Sequence, residues 1–172
     1  QRLDVVFPVL HGGFGEDGTI QGLLRLSGVP FVGAGVLGSA IGMDKDVMKR
    51  LLREASIPVA RFLSIRQATA PSYESVVTSL GSPFFLKPAN AGSSVGVHKV
   101  RSESEYGEAL ADAFLYDTKV LLEEYIIGRE IEVSVLGNDH PEASVPGEII
   151  PAKEFYTYEA KYLDEAGARL EI

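Results

Sequence analysis

The chain has 172 residues, a net charge of −8 and no cysteine, which excludes disulfides, thiolate metal ligands and cysteine nucleophiles. The acidic balance argues against non-specific nucleic-acid binding, which needs a basic face. With 45% hydrophobic and 23% charged residues and no apolar run long enough to cross a bilayer, the composition predicts a soluble, cytoplasmic protein with no membrane segment.

Up to residue 42 the sequence alternates strands and helices, as is typical of an open, doubly wound sheet. Residues 3–10 form a nearly continuous apolar run, as expected of a central parallel strand. A helix is predicted from Thr19 to Ser27, a short strand at 30–33, and another helix at about 37–41. This region therefore has an α/β pattern.

From Met43 onward the pattern is α+β with antiparallel strands. Asp44 is predicted to cap a helix over about 45–55, with Val47, Leu51 and Ala55 on one face. A later helix, at about 103–115, opens with capping-box spacing. Strands are predicted near residues 60–65, 84–87, 96–100, 120–125, 130–136 and 143–149. Because the first strand begins abruptly and the last one looks cut midway, we expect an internal piece of a larger protein.

The most informative segment lies between two of these strands, over residues 84–97. Lys87 ends the first strand, and a loop with Gly92, Ser93, Ser94 and Gly96 follows it. Glycines let backbone N–H groups approach a ligand, and a concave set of N–H groups binds anions. The pattern predicts a phosphate-binding loop that is not a Walker A loop, because the lysine precedes the glycines. The alternative is an ordinary hairpin turn with a surface lysine.

A G-x-G-x-x-G pattern over residues 13–18 would ordinarily suggest a dinucleotide site. Glu16 and Asp17, however, would repel a pyrophosphate at this helix N-terminus. No acidic residue for a ribose lies between Thr19 and Met43 either. We therefore interpret this segment as a ligand-binding loop at the end of a strand. His11 could face a small substrate there, or could be a hydrogen-bonded turn histidine.

Three further features carry functional signals, each with a structural alternative. Lys45 lies in the first turn of its helix, against the macrodipole, where a phosphate could compensate its charge, although a solvated lysine there would cost only a few tenths of a kcal/mol. Acidic residues at 123–130 suit hydrogen bonds to an adenine and a ribose, with Phe85 and Tyr125 around the base, although a charged hairpin edge has the same pattern. The aromatic segment 155–162 predicts a lid that excludes water, or else a well-packed strand connection.

These pieces occur in the order of a known family. The sequences His11-Gly12, Gly15-Glu16-Asp17-Gly18-Thr19-Ile20-Gln21-Gly22, Met43-Asp44-Lys45, Lys87-Pro88, Gly92-Ser93-Ser94-Val95-Gly96 and Tyr158-Glu159-Ala160-Lys161-Tyr162 resemble signatures of the D-alanine–D-alanine ligases. The resemblance covers essentially the whole chain. It implies an ATP-grasp fold at residues 43–172, with a lid at about 151–166. That fold would be preceded, at residues 1–42, by part of a Rossmann-like N-terminal α/β domain.

The resemblance implies an ATP-dependent carboxylate–amine ligase of cell-wall (peptidoglycan) precursor synthesis. ATP phosphorylates one D-alanine, and the amine of a second D-alanine attacks the D-alanyl phosphate. Mg²⁺ or Mn²⁺ would be needed, and a homodimer through the N-terminal domain is expected. The implied metal ligands would follow Ile172, so none is expected in this chain. The resemblance also implies a glutamate that pairs with Ser93 and Tyr162 when the site closes, and this glutamate would precede Gln1. We therefore expect the 172-residue piece alone to be inactive.

Site roles are carried over position by position. Lys45 and Lys87 would hold ATP phosphates under the Gly92–Ser94 loop, and His11 and Glu16 would lie near the first D-alanine. The catalytic residues would be Ser93, Lys161 and Tyr162. The full set of predicted nucleotide contacts is Lys45, Phe85, Lys87, Gly92, Ser93, Ser94, Glu123, Glu124, Tyr125, Ile126, Glu130, Tyr156 and Lys161. Glu124 stands where family members often have lysine or glutamine.

Three alternatives remain open from the sequence. A D-alanyl-D-lactate ligase would carry a histidine-containing lid, whereas Lys161-Tyr162 favours D-alanine as the second substrate. A dehydrogenase would need the ribose carboxylate that the first loop lacks. A non-catalytic nucleotide-binding module would lack the metal ligands in its complete chain.

Overall fold

The computed structural model describes residues 3–151 and 168–172. It divides into two compact units, Gln1–Tyr125 and Ile126–Ile172. The predicted lid segment at residues 155–162 lies outside the described residues.

The first unit begins with the predicted α/β pattern. Val6 and Phe31 form a parallel bridge, with Val6 N donating to Pro30 O at 2.9 Å and Val32 N donating to Val6 O at 2.9 Å. Helix α1 (Thr19–Leu26) follows the segment with Val6, and helix α2 (Val36–Met43) follows the segment with Phe31. Residues 3–10 were predicted to be buried, but Phe7 is 71% exposed. An apolar parallel strand is buried only where neighbouring elements cover both of its faces. Among the described residues, the segment at 3–10 pairs with a neighbour only at the bridge between Val6 and Phe31, so its apolar side chains stay exposed.

Helix α3 (Lys45–Glu54) begins where Asp44 accepts hydrogen bonds from Asp46 N and Val47 N, both at 3.1 Å. This cap was predicted from the sequence and is confirmed. The face with Val47 and Leu51, 38% and 48% exposed, is turned outward, whereas Asp46 and Lys49 are buried. On the inward side of α3, Lys49 pairs with Glu123 of the sheet and lies over the Phe62 ring.

The centre of the first unit is a four-stranded antiparallel sheet. Its strands are β1 (Phe62–Ile65), β2 (Phe84–Pro88), β3 (His98–Val100) and β4 (Val120–Glu124), in the spatial order β1-β4-β2-β3. One face carries Phe84, Leu86 and Leu122, which are fully buried. Helices α4 (Tyr73–Leu80) and α5 (Glu103–Tyr116) cover this face with Val76, Leu80, Tyr106, Ala109 and Ala113.

Helix α4 was not predicted from the sequence. Its residues include the β-branched Val76, Val77 and Thr78, which lower helix propensity. The available signal was Ser72, whose hydroxyl accepts from Ser75 N at 3.3 Å, together with Val76 and Leu80 at helical spacing. Burial of those two side chains against the sheet outweighs the weak local propensity.

Replacing Ser72 by alanine should lower the free energy of unfolding by about 1 kcal/mol, because the first turn of α4 loses its side-chain acceptor. Urea unfolding of the full-length protein measures this. Ser75→Ala, at an exposed position of the same helix, is the matched control and should change stability by less than about 0.5 kcal/mol. Equal losses in the two variants would contradict the assignment of Ser72 as the cap.

The second unit contains two small antiparallel sheets. Strands β5 (Glu130–Glu132), β6 (Val135–Leu136), β7 (Glu142–Ala143), β8 (Gly147–Pro151) and β9 (Ala168–Glu171) pair in the orders β5-β8-β9 and β6-β7. The predicted strands at 130–136 and 143–149 are therefore each divided. Ser134 and Ser144 pair in the register of β6 and β7, with Ser144 N donating to Ser134 O at 2.8 Å and Ser144 Oγ accepting from Ser134 N at 3.0 Å. Strands β5 and β8 pair in a register that is shifted by one residue from this one. Within residues 3–151 and 168–172, no helix has the length and apolarity to span a membrane.

Candidate functional site

The second face of the four-stranded sheet is half-buried and carries charge. Because side chains alternate along a strand, Phe85 and Lys87 of β2 point away from the core that Phe84 and Leu86 fill. The register places Phe85 beside Glu123 and Lys87 beside Leu121 of β4, and Phe62 of β1 on the other side of Glu123. Helix α3 supplies lysines to this face. A concentration of amino groups around one carboxylate is the central feature of the site.

Glu123 is 9% exposed and is paired with two lysines. Its Oε1 accepts from Lys87 Nζ, and its Oε2 pairs with Lys49 Nζ. Burial alone would raise the pKa of Glu123, but the nearby charges and hydrogen bonds of Lys87 and Lys49 outweigh burial and hold that pKa below its usual value. Glu123 is therefore an ionised acceptor held between two cations.

Lys45 is held by backbone carbonyls at the start of the predicted phosphate loop. Its Nζ donates to Ala91 O at 2.6 Å and to the carbonyls of Pro88 and Ala89, both at 3.3 Å. Burial, with the positive charge of Lys87 nearby, lowers the pKa of Lys45 to about 8. Lys45 therefore still carries its charge at neutral pH and lies against the segment that follows Lys87.

Asp117 and Lys119, just before β4, bind the first residues of the same loop, Ala89 and Asn90, which form its stem. Ala89 N donates to Lys119 O at 2.9 Å, and Asn90 N donates to Asp117 Oδ2 at 2.7 Å. Lys119 Nζ in turn binds Asp44 Oδ2 at 2.5 Å, which ties the stem to the cap of α3. The first residues of the loop, Ala89 and Asn90, are thus held by the segment that precedes β4.

The tip of the loop has an unusual backbone conformation. Ser93 and Ser94 have φ values of 52° and 60°, in the left-handed region that residues other than glycine seldom adopt. Gly96 follows with φ 65°, and a Cβ there would lie 2.7 Å from Tyr116 Cδ2, so no side chain fits. Left-handed residues turn successive N–H groups toward one side, which is the geometry of an anion nest. This backbone is compatible with the phosphate loop expected from the sequence, which stays a prediction.

The G-x-G-x-x-G loop has its N–H groups occupied by its own carboxylates. Glu16 Oε2 accepts from Gly12 N at 2.5 Å, and Asp17 accepts from Phe14 N at 2.8 Å and from Thr19 N at 2.9 Å. The hydrogen bond from Phe14 N makes the largest contribution to a lowered pKa of Asp17. This geometry agrees with the interpretation that the motif is not a pyrophosphate site.

The two glycine loops meet. A Cβ on Gly92 would lie 3.3 Å from Gly12 Cα and 3.5 Å from Glu16 Oε2. Gly92 thus brings the tip of the phosphate loop against the loop that carries Glu16, and His11 precedes that loop on an exposed position. The first unit therefore brings together Lys45, Lys87, Gly92, Glu123 and Glu16.

The predicted surroundings of the adenine are arranged differently from the expected sandwich. The rings of Phe85 and Tyr125 contact one another, with centroids 5.9 Å apart and an angle of 56° between their planes. A base stacked between two rings needs two contacts of about 3.5 Å each, so these rings would have to separate. The carboxylate of Glu124 lies on the other side of β4, bound to Arg61 Nε at 2.5 Å and Arg61 N at 2.7 Å. Any contact of Glu124 with a base would therefore come from its backbone.

The remaining predicted residues lie elsewhere. Ile126 and Glu130 belong to the second unit, where both are exposed. Tyr156, Lys161 and Tyr162 fall outside the described residues. Within the described ranges, no group of three or more histidine, aspartate or glutamate side chains is arranged to hold a metal ion. The expectation that the metal ligands follow residue 172 stays a prediction.

Sequence reasoning did not single out Lys49, Asp117 or Lys119. Lys49 had a usable signal, because it lies four residues after Lys45 and so shares a face of α3 with it. Asp117 and Lys119 had none, since their partners Asn90 and Asp44 are distant in sequence.

Comparisons with known proteins identify the family of this chain. The family model described as "D-ala D-ala ligase C-terminus" matches residues 51–172, and the one described as "D-ala D-ala ligase N-terminus" matches residues 1–34. The predicted domain boundary at 42/43 lies between these matches and stays a prediction. A D-alanine–D-alanine ligase of Oceanobacillus iheyensis is 57% identical over 99% of this chain and 47% of its own length. The chain thus spans about half the length of the curated relatives it matches.

Solved structures give the same result. D-alanyl-alanine synthetase A from Vibrio cholerae superposes with a TM-score of 0.83 at 36% identity, covering 97% of this chain and 51% of its own. The VanG D-Ala:D-Ser ligase from Enterococcus faecalis superposes with a TM-score of 0.83 at 38% identity, covering 99% of this chain and 49% of its own. The predicted fold, an ATP-grasp fold preceded by part of a Rossmann-like domain, is confirmed. The chain belongs to the D-alanine–D-alanine ligase family.

Proposed function

We propose that the full-length protein joins two D-alanine molecules with ATP, through a D-alanyl phosphate, for peptidoglycan precursor synthesis. The observation that carries this proposal is the juxtaposition of Lys45 and Lys87 with a loop whose tip has the backbone of an anion nest. Membership of the ligase family supplies the reaction class. A cytoplasmic homodimer, as the resemblance implies, belongs to the same proposal.

In this proposal Lys45 and Lys87 neutralise the ATP phosphates, and the backbone of residues 92–96 covers them. Both amino groups already lie at the start of the loop, where Lys45 Nζ is bonded to backbone carbonyls and Lys87 Nζ to Glu123. Binding of the triphosphate would exchange part of these bonds for bonds to phosphate oxygens. Phosphoryl transfer requires positioning and charge neutralisation more than covalent chemistry by the protein. The metal expected from the family would be held by residues that follow Ile172 and would supply further positive charge for the phosphates.

The carboxylate oxygen of the first D-alanine would attack the γ-phosphorus, the bond to the ADP oxygen would break, and an acyl phosphate would form. The amine of the second D-alanine would then attack the acyl carbon and expel inorganic phosphate. His11 and Glu16 would lie near the first substrate, which the contact of Gly92 with the Glu16 loop supports. Ser93, Lys161 and Tyr162 would complete the closed site.

The nucleotide base would lie along β4. Glu123 is an ionised acceptor at the end of this strand and suits the amino group of adenine. Phe85, Tyr125, Ile126 and the backbone of Glu124 would surround the base, with Tyr156 contributing from the lid and Glu130 at the ribose. These roles follow from the family resemblance and from the position of Glu123.

The test is phosphate release from ATP by the full-length protein with D-alanine alone, with added D-lactate, with added D-serine, and with no amino acid. Release that requires D-alanine, with D-alanyl-D-alanine as the product, would support the proposal. A product that joins D-alanine to D-lactate or D-serine would show that the second substrate is not D-alanine. Release independent of D-alanine would refute the ligase proposal.

A further inference from the structure

We propose that Lys49 is a positioning residue for nucleotide recognition, acting as the permanent counter-ion that keeps Glu123 ionised and in place while Lys87 binds phosphate. This inference rests on the proposed function only through nucleotide binding, so it can be tested without D-alanine.

The two lysines that pair with Glu123 differ in their surroundings. The side chain of Lys49 is 10% exposed and that of Lys87 is 20% exposed. Lys49 Nζ also donates to Ala60 O at 3.4 Å and lies 5.3 Å from the centroid of the Phe62 ring. Lys49 is thus held against the sheet by Glu123, the carbonyl of Ala60 and the ring of Phe62.

Lys87 occupies the opposite position on the same carboxylate. It is carried by the last part of β2, directly before the phosphate loop, and it pairs with Oε1 of Glu123. A phosphate placed in the loop would attract Lys87 and weaken its bond to Glu123. A buried carboxylate that loses a cation tends to take up a proton. With Lys49 on Oε2, Glu123 keeps one full counter-charge during this exchange.

The ionisation state of Glu123 decides what it can recognise. An ionised carboxylate only accepts hydrogen bonds, so it favours the 6-amino group of adenine over the 6-carbonyl oxygen of hypoxanthine. A protonated or displaced Glu123 would no longer make that distinction. Lys49 therefore acts on base selectivity through Glu123, although it touches neither base nor phosphate.

The experiment measures dissociation constants of ATP and inosine triphosphate by calorimetry on the full-length protein without D-alanine. Wild type should prefer ATP by about 10- to 100-fold, the strength of one hydrogen bond to a charged group. Lys49→Met should reduce the preference to less than about threefold, and Lys49→Arg, which keeps the charge, should restore most of it.

Arg50→Met is the matched control, because Arg50 lies next to Lys49 on α3 and pairs with another carboxylate, Asp46, at 2.7 Å. Its ATP preference should equal that of wild type. If Lys49→Met does not fold, Lys49→Gln provides the same test with a polar side chain. A purely structural role would lower stability and leave the ATP preference intact.

An unchanged preference in the folded Lys49 variants would overturn the inference, as would a wild type that binds both nucleotides equally. Failure of the ligase proposal looks different. It would appear as ATP-selective binding, sensitive to Lys49, with no phosphate release on adding D-alanine.

Discussion

Replacing Lys87 by methionine should lower D-alanine-dependent phosphate release by about 100- to 1,000-fold, the usual loss when a charge-stabilising group is removed from an active site. Lys87 lies at the stem of the phosphate loop and pairs with Glu123. Methionine keeps an unbranched side chain that is one heavy atom shorter, and it removes the charge. The transferred phosphate would then lose a cation and face the partly uncompensated carboxylate of Glu123.

The Lys87 prediction is measured with the full-length protein at saturating ATP and D-alanine. Lys87→Arg keeps the charge and should lose less activity than Lys87→Met, although its planar fork fits differently. Arg66→Met, at an exposed position next to a short turn, controls for the loss of one positive charge. If Lys87→Met keeps more than about a third of wild-type activity while folded, Lys87 does not bind the transferred phosphate.

The affinity for ATP should fall as the pH rises through 8. Burial and the nearby charge of Lys87 lower the pKa of Lys45 to about 8, so in the free protein its ammonium loses its proton above that pH. Phosphate binding favours the charged form, and above pH 8 a proton must be taken up on binding. From these populations the dissociation constant for ATP should rise about tenfold between pH 7 and pH 9.

Calorimetric titrations with ATP at pH 7, 8 and 9 measure this dependence. Lys45→Arg is the control, because its guanidinium stays charged throughout and should make the affinity nearly independent of pH. Asp44, Asp117, Glu123 and Lys87 surround Lys45 electrostatically, and the arginine variant leaves them in place. Equal pH dependence in wild type and Lys45→Arg would show that another group titrates.

Local signals predicted most of the elements of the first unit, and the failures have definite causes. The Asp44 cap and the helix after Ser102 depend on hydrogen bonds between residues two or three positions apart, so both could be predicted from the local sequence. The inward side of α3, where Lys49 pairs with Glu123, could not be predicted in this way, because Glu123 is distant in sequence. The strands of the second unit are divided where the register changes by one residue between the β6–β7 and β5–β8 pairs, which no alternation pattern reveals.

The candidate site shows the same division. Loop composition and the position of Lys87 indicated the phosphate loop, because glycine and left-handed serine backbones are local properties. Glu123 and Glu124 lie on opposite faces because side chains alternate along β4, but the position of Glu123 between Phe62 and Phe85 follows from strand register. Register is a tertiary property, so Lys49 and Arg61 entered the site only with the structure.

The most direct test of this account is a crystal structure of the full-length protein with a non-hydrolysable ATP analogue. The account predicts the β- and γ-phosphates against the amino groups of Lys45 and Lys87, under the backbone of residues 92–96, with the base near Glu123. Phosphates bound instead at the N–H groups of residues 12–18, with the carboxylates of Glu16 and Asp17 displaced, would contradict it.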